Sequence, residues 1–206
     1  MAKTGPEVLL LRHGQTEWSL NGRHTGTTDI PLTEDGRAQA RALRDRLAGR
    51  EFALVLTSPL GRARETAELA GLGARAQVRD DLLEWDYGEY EGVTTADIRK
   101  RDPDWLLWRD GCPGGETAAQ VGARVDRVIA DVRAADGDCA LFGHGHVLRV
   151  LAARWIEMAP EEGGRFGLST ATVSVMGWER EVPVFWLWNG AGHLGPAAGA
   201  GGAESL

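Results

Sequence analysis

The sequence predicts an α/β fold: one domain over residues 1–194, a mostly parallel sheet with helices on both faces, three layers in all. Three observations carry that prediction. Short apolar runs of strand length alternate with segments whose apolar residues recur at helical spacing. Several of those runs are apolar at nearly every position, as strands buried on both faces are. No linker-like stretch interrupts the chain before the Gly/Ala-rich segment Gly195–Leu206, which has little to bury and is expected to be disordered.

Taken in order, Glu7–Leu11 (EVLLL) reads as a buried strand closed by Arg12-His13-Gly14. Thr33–Arg50 is a helix with Thr33 as cap and Ala38, Leu43 and Leu47 on one face. Ala53–Thr57 is a second buried strand. Ser58-Pro59 then reads as cap and first position of a helix running to about Leu69. Gln77–Arg79 is a short third strand, and Leu83–Gly92 (LEWDYGEYEG) a polar, aromatic loop. Thr94–Trp108 reads as two short helices broken at Pro103, followed by a stop at Cys112–Gly115. Glu116–Ala135 is a long amphipathic helix with Val121, Val125, Val128 and Val132 inward. Asp138–Phe142 is a strand closed by Gly143-His144-Gly145, and Val147–Ile156 a helix. Thr172–Trp178 and Val182–Trp188 close the chain as a pair of strands.

Composition narrows the function classes. Of 206 residues, 43% are hydrophobic and 26% charged, an ordinary globular balance. No apolar run approaches the ~20 residues that span a bilayer, and Met1–Pro6 lacks the apolar core of a secretory signal. Cytoplasmic residence is the default expectation, with two cysteines too few for a disulfide framework or a Cys-based metal site. A net charge of −7 argues against nucleic acid as a partner.

Three strand ends carry unusual side chains: Arg12-His13-Gly14, Ser58-Pro59 with Arg62 in the following helix, and Gly143-His144-Gly145. In an open α/β sheet, ligands lie beyond the carboxyl ends of the strands. If these strands are parallel neighbours, two arginines, two imidazoles and helix-start N–H groups converge on one cup, an anion site. Other chemistries fit less well. The phosphate-binding pattern G-x-x-x-x-G-K-[ST] is absent, Leu148 breaks the dinucleotide fingerprint that Gly143-x-Gly145 would begin, and there is no G-x-S-x-G. His144-x-His146 is at most half a metal site, with no carboxylate or thiol nearby to complete it.

These residues bear a family resemblance. Leu11-Arg12-His13-Gly14-Gln15-Thr16 resembles the R-H-G signature of the histidine phosphatase superfamily, the phosphoglycerate-mutase-like proteins. Ser58-Pro59-Leu60-x-Arg62-Ala63, the segment from Leu83-Glu84 through Tyr87-Gly88 to Glu91-Gly92, and Gly143-His144-Gly145 resemble its later motifs, in family order. The resemblance implies a metal-independent phosphohistidine mechanism with no cofactor. His13 would be the nucleophile, Arg12, Arg62 and His144 would hold the phosphoryl oxygens, and Glu84 would donate the proton. It further implies substrate contacts at Gln15, Ser19, Thr25, Gly26, Tyr87 and Gly145. Ser19 stands where relatives often carry Asn, so its contact would run through a hydroxyl or a bridging water.

The resemblance covers phosphatases and mutases. The stretch from Glu84 to His144 is short and largely taken by the helix from Glu116, leaving little room for the insertion that closes phosphoglycerate mutases. A phosphatase acting on small phosphorylated metabolites, of the acid-phosphatase and sugar-phosphatase branch, is therefore expected. A mutase and a catalytically inactive phospho-ligand binder are the alternatives. Arg99-Lys100-Arg101 reads as a solvated helix face, with contact to a second phosphate or carboxylate as the other reading. Trp178, Trp186 and Trp188 read as sheet packing, the alternative being a homodimer surface.

Overall fold

The computed structural model describes residues 4–195, so the Gly/Ala-rich stretch expected to be disordered lies, beyond Gly195, outside the described residues. In chain order the elements are β1 (Thr4–Arg12), α1 (Glu17–Asn21), α2 (Glu34–Leu47), β2 (Leu54–Thr57), α3 (Gly61–Leu69), β3 (Gln77–Val78), α4 (Thr95–Arg99), α5 (Leu107–Asp110), α6 (Ala118–Ala134), β4 (Cys139–Gly143), α7 (Gly145–Trp155), β5 (Val173–Glu179) and β6 (Val182–Gly190). Short 3₁₀ turns lie between them, among them Gly88–Tyr90 and Pro160–Arg165. The sheet order is β3-β2-β4-β1-β5-β6. The first four strands of that order run parallel, and β5 and β6 add an antiparallel hairpin at one edge.

The period of two along β1 builds both layers of the core. Val8 and Leu10 pack in one cluster with Val121, Val125 and Val128 of α6 and Leu148 and Leu151 of α7. Leu9 and Leu11 pack in the other with Leu43 and Leu47 of α2 and Ala67 of α3. All four β1 side chains are fully buried, and each contributes roughly 1.5–3 kcal/mol over exposure. The three-layer arrangement expected from sequence is the one observed, with a mixed rather than wholly parallel sheet.

Local chemistry sets the element ends. Thr33 caps α2 by accepting from the Gly36 amide, and Thr117 with Gln120 closes a capping box at α6. Several local features differ from expectation: α2 ends at Leu47 rather than Arg50, and α7 starts at Gly145 rather than Val147. Helix α3 starts at Gly61 without a side-chain cap, so Ser58 is not its cap residue: its hydroxyl is committed to His144. The helix α1, only five residues long, carries no periodic pattern to reveal it. Between α4 and α5 the chain is irregular well past Pro103, because α5 starts only at Leu107. The late tryptophans pack as sheet residues do. Trp178 lies 4.7 Å from Trp155 between ring centroids, and Trp188 lies 5.3 Å from Phe185.

Candidate active site

Register brings the two His-Gly motifs together. Parallel pairing of β1 with β4 sets Arg12 opposite Gly143, so the next residues on each strand, His13 and His144, leave the sheet side by side. Their ring centroids are 5.1 Å apart. On the other side of β4, the pairing of Thr57 with Phe142 delivers Ser58 to the same level. His144 is fully buried, and Arg12, His13 and Arg62 are each no more than 5% exposed. Backbone contact makes this convergence possible. A Cβ on Gly14 would lie 2.3 Å from the Gly36 carbonyl oxygen at the start of α2, and one on Gly145 would lie 3.2 Å from the Arg12 guanidinium carbon. The strand-end glycines leave room for one helix end and one cation.

Hydrogen bonds assign the imidazole tautomers. His13 Nδ1 lies 2.7 Å from the Gly14 carbonyl oxygen, which only accepts, so Nδ1 carries the proton and Nε2 keeps its lone pair. Arg62 Nε donates to His144 Nδ1 at 3.1 Å, so His144 carries its proton on Nε2 and donates it to Ser58 Oγ at 2.7 Å. Both rings are held neutral. Burial, then the charges of Arg62 and Arg12, push the His13 pKa well below the usual histidine value. Burial, Arg62 and the neighbouring His13 do the same to His144. A neutral imidazole with a free lone pair is the form a nucleophile needs.

Arg62 also fastens the loop before α2. Nη1 donates to the Thr28 carbonyl at 2.8 Å, and Nη2 to those of Thr25 and Gly26 at 3.0 Å each. Its positive charge therefore borders the cup from a fixed position. Thr66, one turn along α3, accepts from the Gly14 amide and donates back to the Arg62 carbonyl.

Glu84 sits on the start of α7. Its carboxyl oxygens accept from the amides of His146 at 3.0 Å and Val147 at 2.8 Å, and from its own neighbour Trp85 at 2.9 Å. The sheet-end motif that supplies His144 thus also supplies the amides that hold Glu84. A second device holds the loop itself. Arg124 on α6 donates to the carbonyls of Asp81, Leu83 and Glu84 and forms a two-pronged pair with Glu116, at 2.8 and 2.9 Å. Glu116 in turn accepts from the Asp86 amide, and its carbonyl accepts from the Trp85 indole.

The remaining sequence-predicted contacts divide. Gly145 lies against Arg12 inside the cup. Ser19 is committed elsewhere: its hydroxyl accepts from the Thr16 amide and donates to the Thr16 carbonyl, closing the cap of α1. Gln15 Oε1 accepts from the Thr33 hydroxyl at the cap of α2. The Thr25 hydroxyl donates within its own loop to Arg23, and the Gly26 amide donates to the Glu91 carboxylate. Tyr87 is buried, its hydroxyl 2.6 Å from His146 Nδ1.

Sequence reasoning missed Ser58 as His144's partner, Thr66, and the Arg124–Glu116 pair. The Glu116-Thr117 step beside a capping residue was a visible signal, but nothing in sequence places Arg124, 40 positions beyond Glu84, against that loop. Among the described residues no group of three His, Cys, Asp or Glu side chains is placed to hold a metal ion, and no helix is long and apolar enough to cross a membrane.

A profile of the histidine phosphatase superfamily (branch 1) matches residues 8–190. An acid phosphatase of Mycobacterium tuberculosis is 43% identical over 195 residues, covering 93% of this chain and 96% of its own. A sedoheptulose 1,7-bisphosphatase of Saccharomyces cerevisiae is 38% identical over 79% of this chain and 72% of its own. The solved structure of an open reading frame from Mycobacterium tuberculosis superposes with a TM-score of 0.87 at 42% identity, over 92% of this chain and all of that one. The arginine-bounded pair of imidazoles on neighbouring parallel strands and a match spanning nearly every described element agree: the chain belongs to the histidine phosphatase superfamily, branch 1.

Proposed function

We propose that this histidine phosphatase hydrolyses phosphate monoesters of small molecules through a phosphohistidine on His13. The observation that carries the reading is the tautomer of that ring: Nδ1–H donates to Gly14, leaving Nε2 as the lone pair inside the cup. Nε2 attacks phosphorus in line, the bond to the ester oxygen breaks, and Glu84 gives that oxygen its proton. Water then attacks the phosphohistidine, Glu84 takes the proton back, and inorganic phosphate leaves.

Arg12 and Arg62 lower the energy of the transferring group by charge fixed in place before the reaction. His144 is neutral, and its Nε2–H donates to Ser58 Oγ. An entering phosphoryl oxygen competes with Ser58 for its Nε2 proton. The reaction needs no metal or other cofactor. The catalytic domain is taken as residues 1–194. Cytoplasmic residence, with Cys112 and Cys139 buried and free, belongs to the same reading, as does a homodimer formed along the edge strand β6.

The test is a chemical quench of the enzyme mixed with a ³²P-labelled monoester in the presence of a chelator. Protein-bound label that survives alkali and is lost in acid, absent from His13→Ala, supports the mechanism. Turnover with no such label refutes it. Efficient interconversion of 2- and 3-phosphoglycerate with little phosphate release makes the protein a mutase instead.

A further inference from the structure

A cleft of about 290 Å³ opens beside α4 and α5, with Arg23, Trp105, Trp108 and His146 in its lining, and none of the cup's residues lines it. Arg99 does, and donates Nε to the Trp105 carbonyl at 3.2 Å, so within Arg99-Lys100-Arg101 only Lys100 and Arg101 are exposed. The cup's backbone is gripped elsewhere, on the flank of β1 that pairs with β5.

Register brings three chain segments off the sheet together on that flank. Leu11 pairs with Val173, and Val173 pairs with Gly190, the last residue of β6. The residues that follow Leu11, precede Val173 and follow Gly190 therefore emerge side by side. The first are Arg12 and His13, the second residues 168–172, and the third a turn in which the Leu194 amide donates to the Ala191 carbonyl at 2.9 Å.

Hydrogen bonds join the three in series. The Ala171 amide donates to the carbonyls of Arg12 at 3.1 Å and His13 at 3.0 Å. The Leu168 carbonyl accepts from Arg12 Nη1. Residues 168–172 thus hold the backbone of the nucleophile and the guanidinium beside it. They are held in turn from the end of the chain. His193 Nε2 lies 2.9 Å from the Ala171 carbonyl, which only accepts, so the ring donates there. Asn189 Oδ1 accepts from the Ser169 amide at 2.8 Å. The backbone between these contacts is strained: Ala171 is fully buried at φ 54, a left-handed conformation that persists only where neighbours fix it on several sides. Its amide is fixed by β1 and its carbonyl by His193. Asn189 is left-handed too, at φ 53, which asparagine tolerates.

We propose that Asn189 and His193 are positioning residues for the reaction. Through residues 168–172 they keep the His13 ring and the Arg12 guanidinium aligned on the phosphoryl group, without touching it themselves. The proposal rests on the phosphatase reading and adds to that site two residues from the opposite end of the chain. In-line attack tolerates little displacement, and a shift of about 1 Å can cost about 10²-fold in rate. Loosening the clamp therefore slows the attack of His13, a step common to every ester, and leaves protonation of the leaving group alone.

The test is steady-state kinetics of the full chain on p-nitrophenyl phosphate and on an alkyl phosphate, with melting temperatures alongside. His193→Leu removes the donor, and His193→Gln restores one through its carboxamide. Asn189→Gly removes the acceptor while keeping the left-handed backbone, and Asn189→Asp restores it. His193→Leu and Asn189→Gly are expected to lower kcat about tenfold on both esters alike, with His193→Gln and Asn189→Asp within about threefold of the parent. A lowered melting temperature with kcat unchanged, in either removal variant, marks a purely structural role and overturns the proposal. So does a loss as large in His193→Gln as in His193→Leu, which would mean that the ring acts by its bulk. A loss confined to the alkyl phosphate also overturns it, by placing the effect on Glu84. If His193→Leu does not fold, the Asn189 pair decides. If the parent releases phosphate from neither ester, the phosphatase reading itself fails.

Discussion

The cup is made of strand ends and the cleft of irregular chain. His13 and His144 follow directly from paired strands at the centre of the sheet, and Ser58 from the strand beside them. The cleft takes its sides from the turn-rich stretch around α4 and α5 and from the Pro160–Arg165 turn, with α7 beneath. In the cup, the hydrogen bonds of both imidazoles and of Arg62 go to other protein groups. Along the cleft, Arg23 and Arg99 form no ion pair among the described residues, although Asp97 lies near Arg23 and Glu161 and Glu162 share the lining. The proposed catalytic groups thus stand on strand ends at the centre of the sheet, whereas the cleft is walled by irregular chain whose sequence can change without disturbing the sheet.

The largest way to break that division is to remove chemistry from the cup. His13→Ala is expected to lower turnover of p-nitrophenyl phosphate by about 10³-fold or more, since a covalent route cannot proceed without its nucleophile. Its circular dichroism should match the parent's. Glu84→Gln separates nucleophile from acid. Alkyl phosphates, whose leaving oxygen needs a proton, should lose about 10²–10⁴-fold in kcat, while p-nitrophenyl phosphate loses far less. Equal losses on both esters would show that Glu84 acts through the loop and not on the leaving group.

Much of the cup was legible because it follows from strand length, alternation and two matching His-Gly turns. Register does the rest: once β1 and β4 are parallel neighbours, His13 and His144 must meet. The commitments of individual side chains were not legible. Ser58-Pro59 has the composition of a helix start, yet the His144 ring claims the hydroxyl and α3 begins two residues later than a Pro-first helix would. Ser19 follows the R-H-G motif at the spacing of a phosphate contact and instead closes a helix too short to show a period. The cleft was least legible, because its sides come from α4, α5 and a 3₁₀ turn that fold by tertiary contact rather than by pattern.

The cup's charge state predicts a pH effect on stability. His13 and His144 have folded pKa values lowered below the ordinary value of about 6.5. Below about pH 6.5 the unfolded chain therefore binds protons that the folded chain refuses, so stability falls with pH from there toward the lowered values. The melting temperature should drop between pH 7 and pH 5, and the slope should be shallower in His144→Gln. A parent slope no steeper than the variant's would mean that the rings accept protons while folded. Arg124→Met tests the support of the acid loop. Breaking its pair with Glu116 should cost about 3 kcal/mol in a denaturant melt. It should also lower kcat on alkyl phosphates about tenfold, with KM little changed and p-nitrophenyl phosphate less affected.

The smallest expected effect decides where the cup ends. Ser19 lies five residues beyond Gly14, close enough in sequence to belong to the phosphoryl contacts, but its hydroxyl makes both of its hydrogen bonds to Thr16. If it is a cap residue, Ser19→Ala removes about 1 kcal/mol of helix-end stabilisation. In a chain of this size that lowers the melting temperature by about 2–4 °C. Both kcat and KM on p-nitrophenyl phosphate should stay within about twofold, because the α1 cap carries no group into the reaction. Ser19→Asn sharpens the result, since a longer amide trades one of the cap's bonds for reach toward the phosphoryl group. A drop of tenfold or more in kcat/KM for Ser19→Ala at unchanged melting temperature would move the hydroxyl from the helix end into the cup, with the Thr16 contacts giving way when substrate binds.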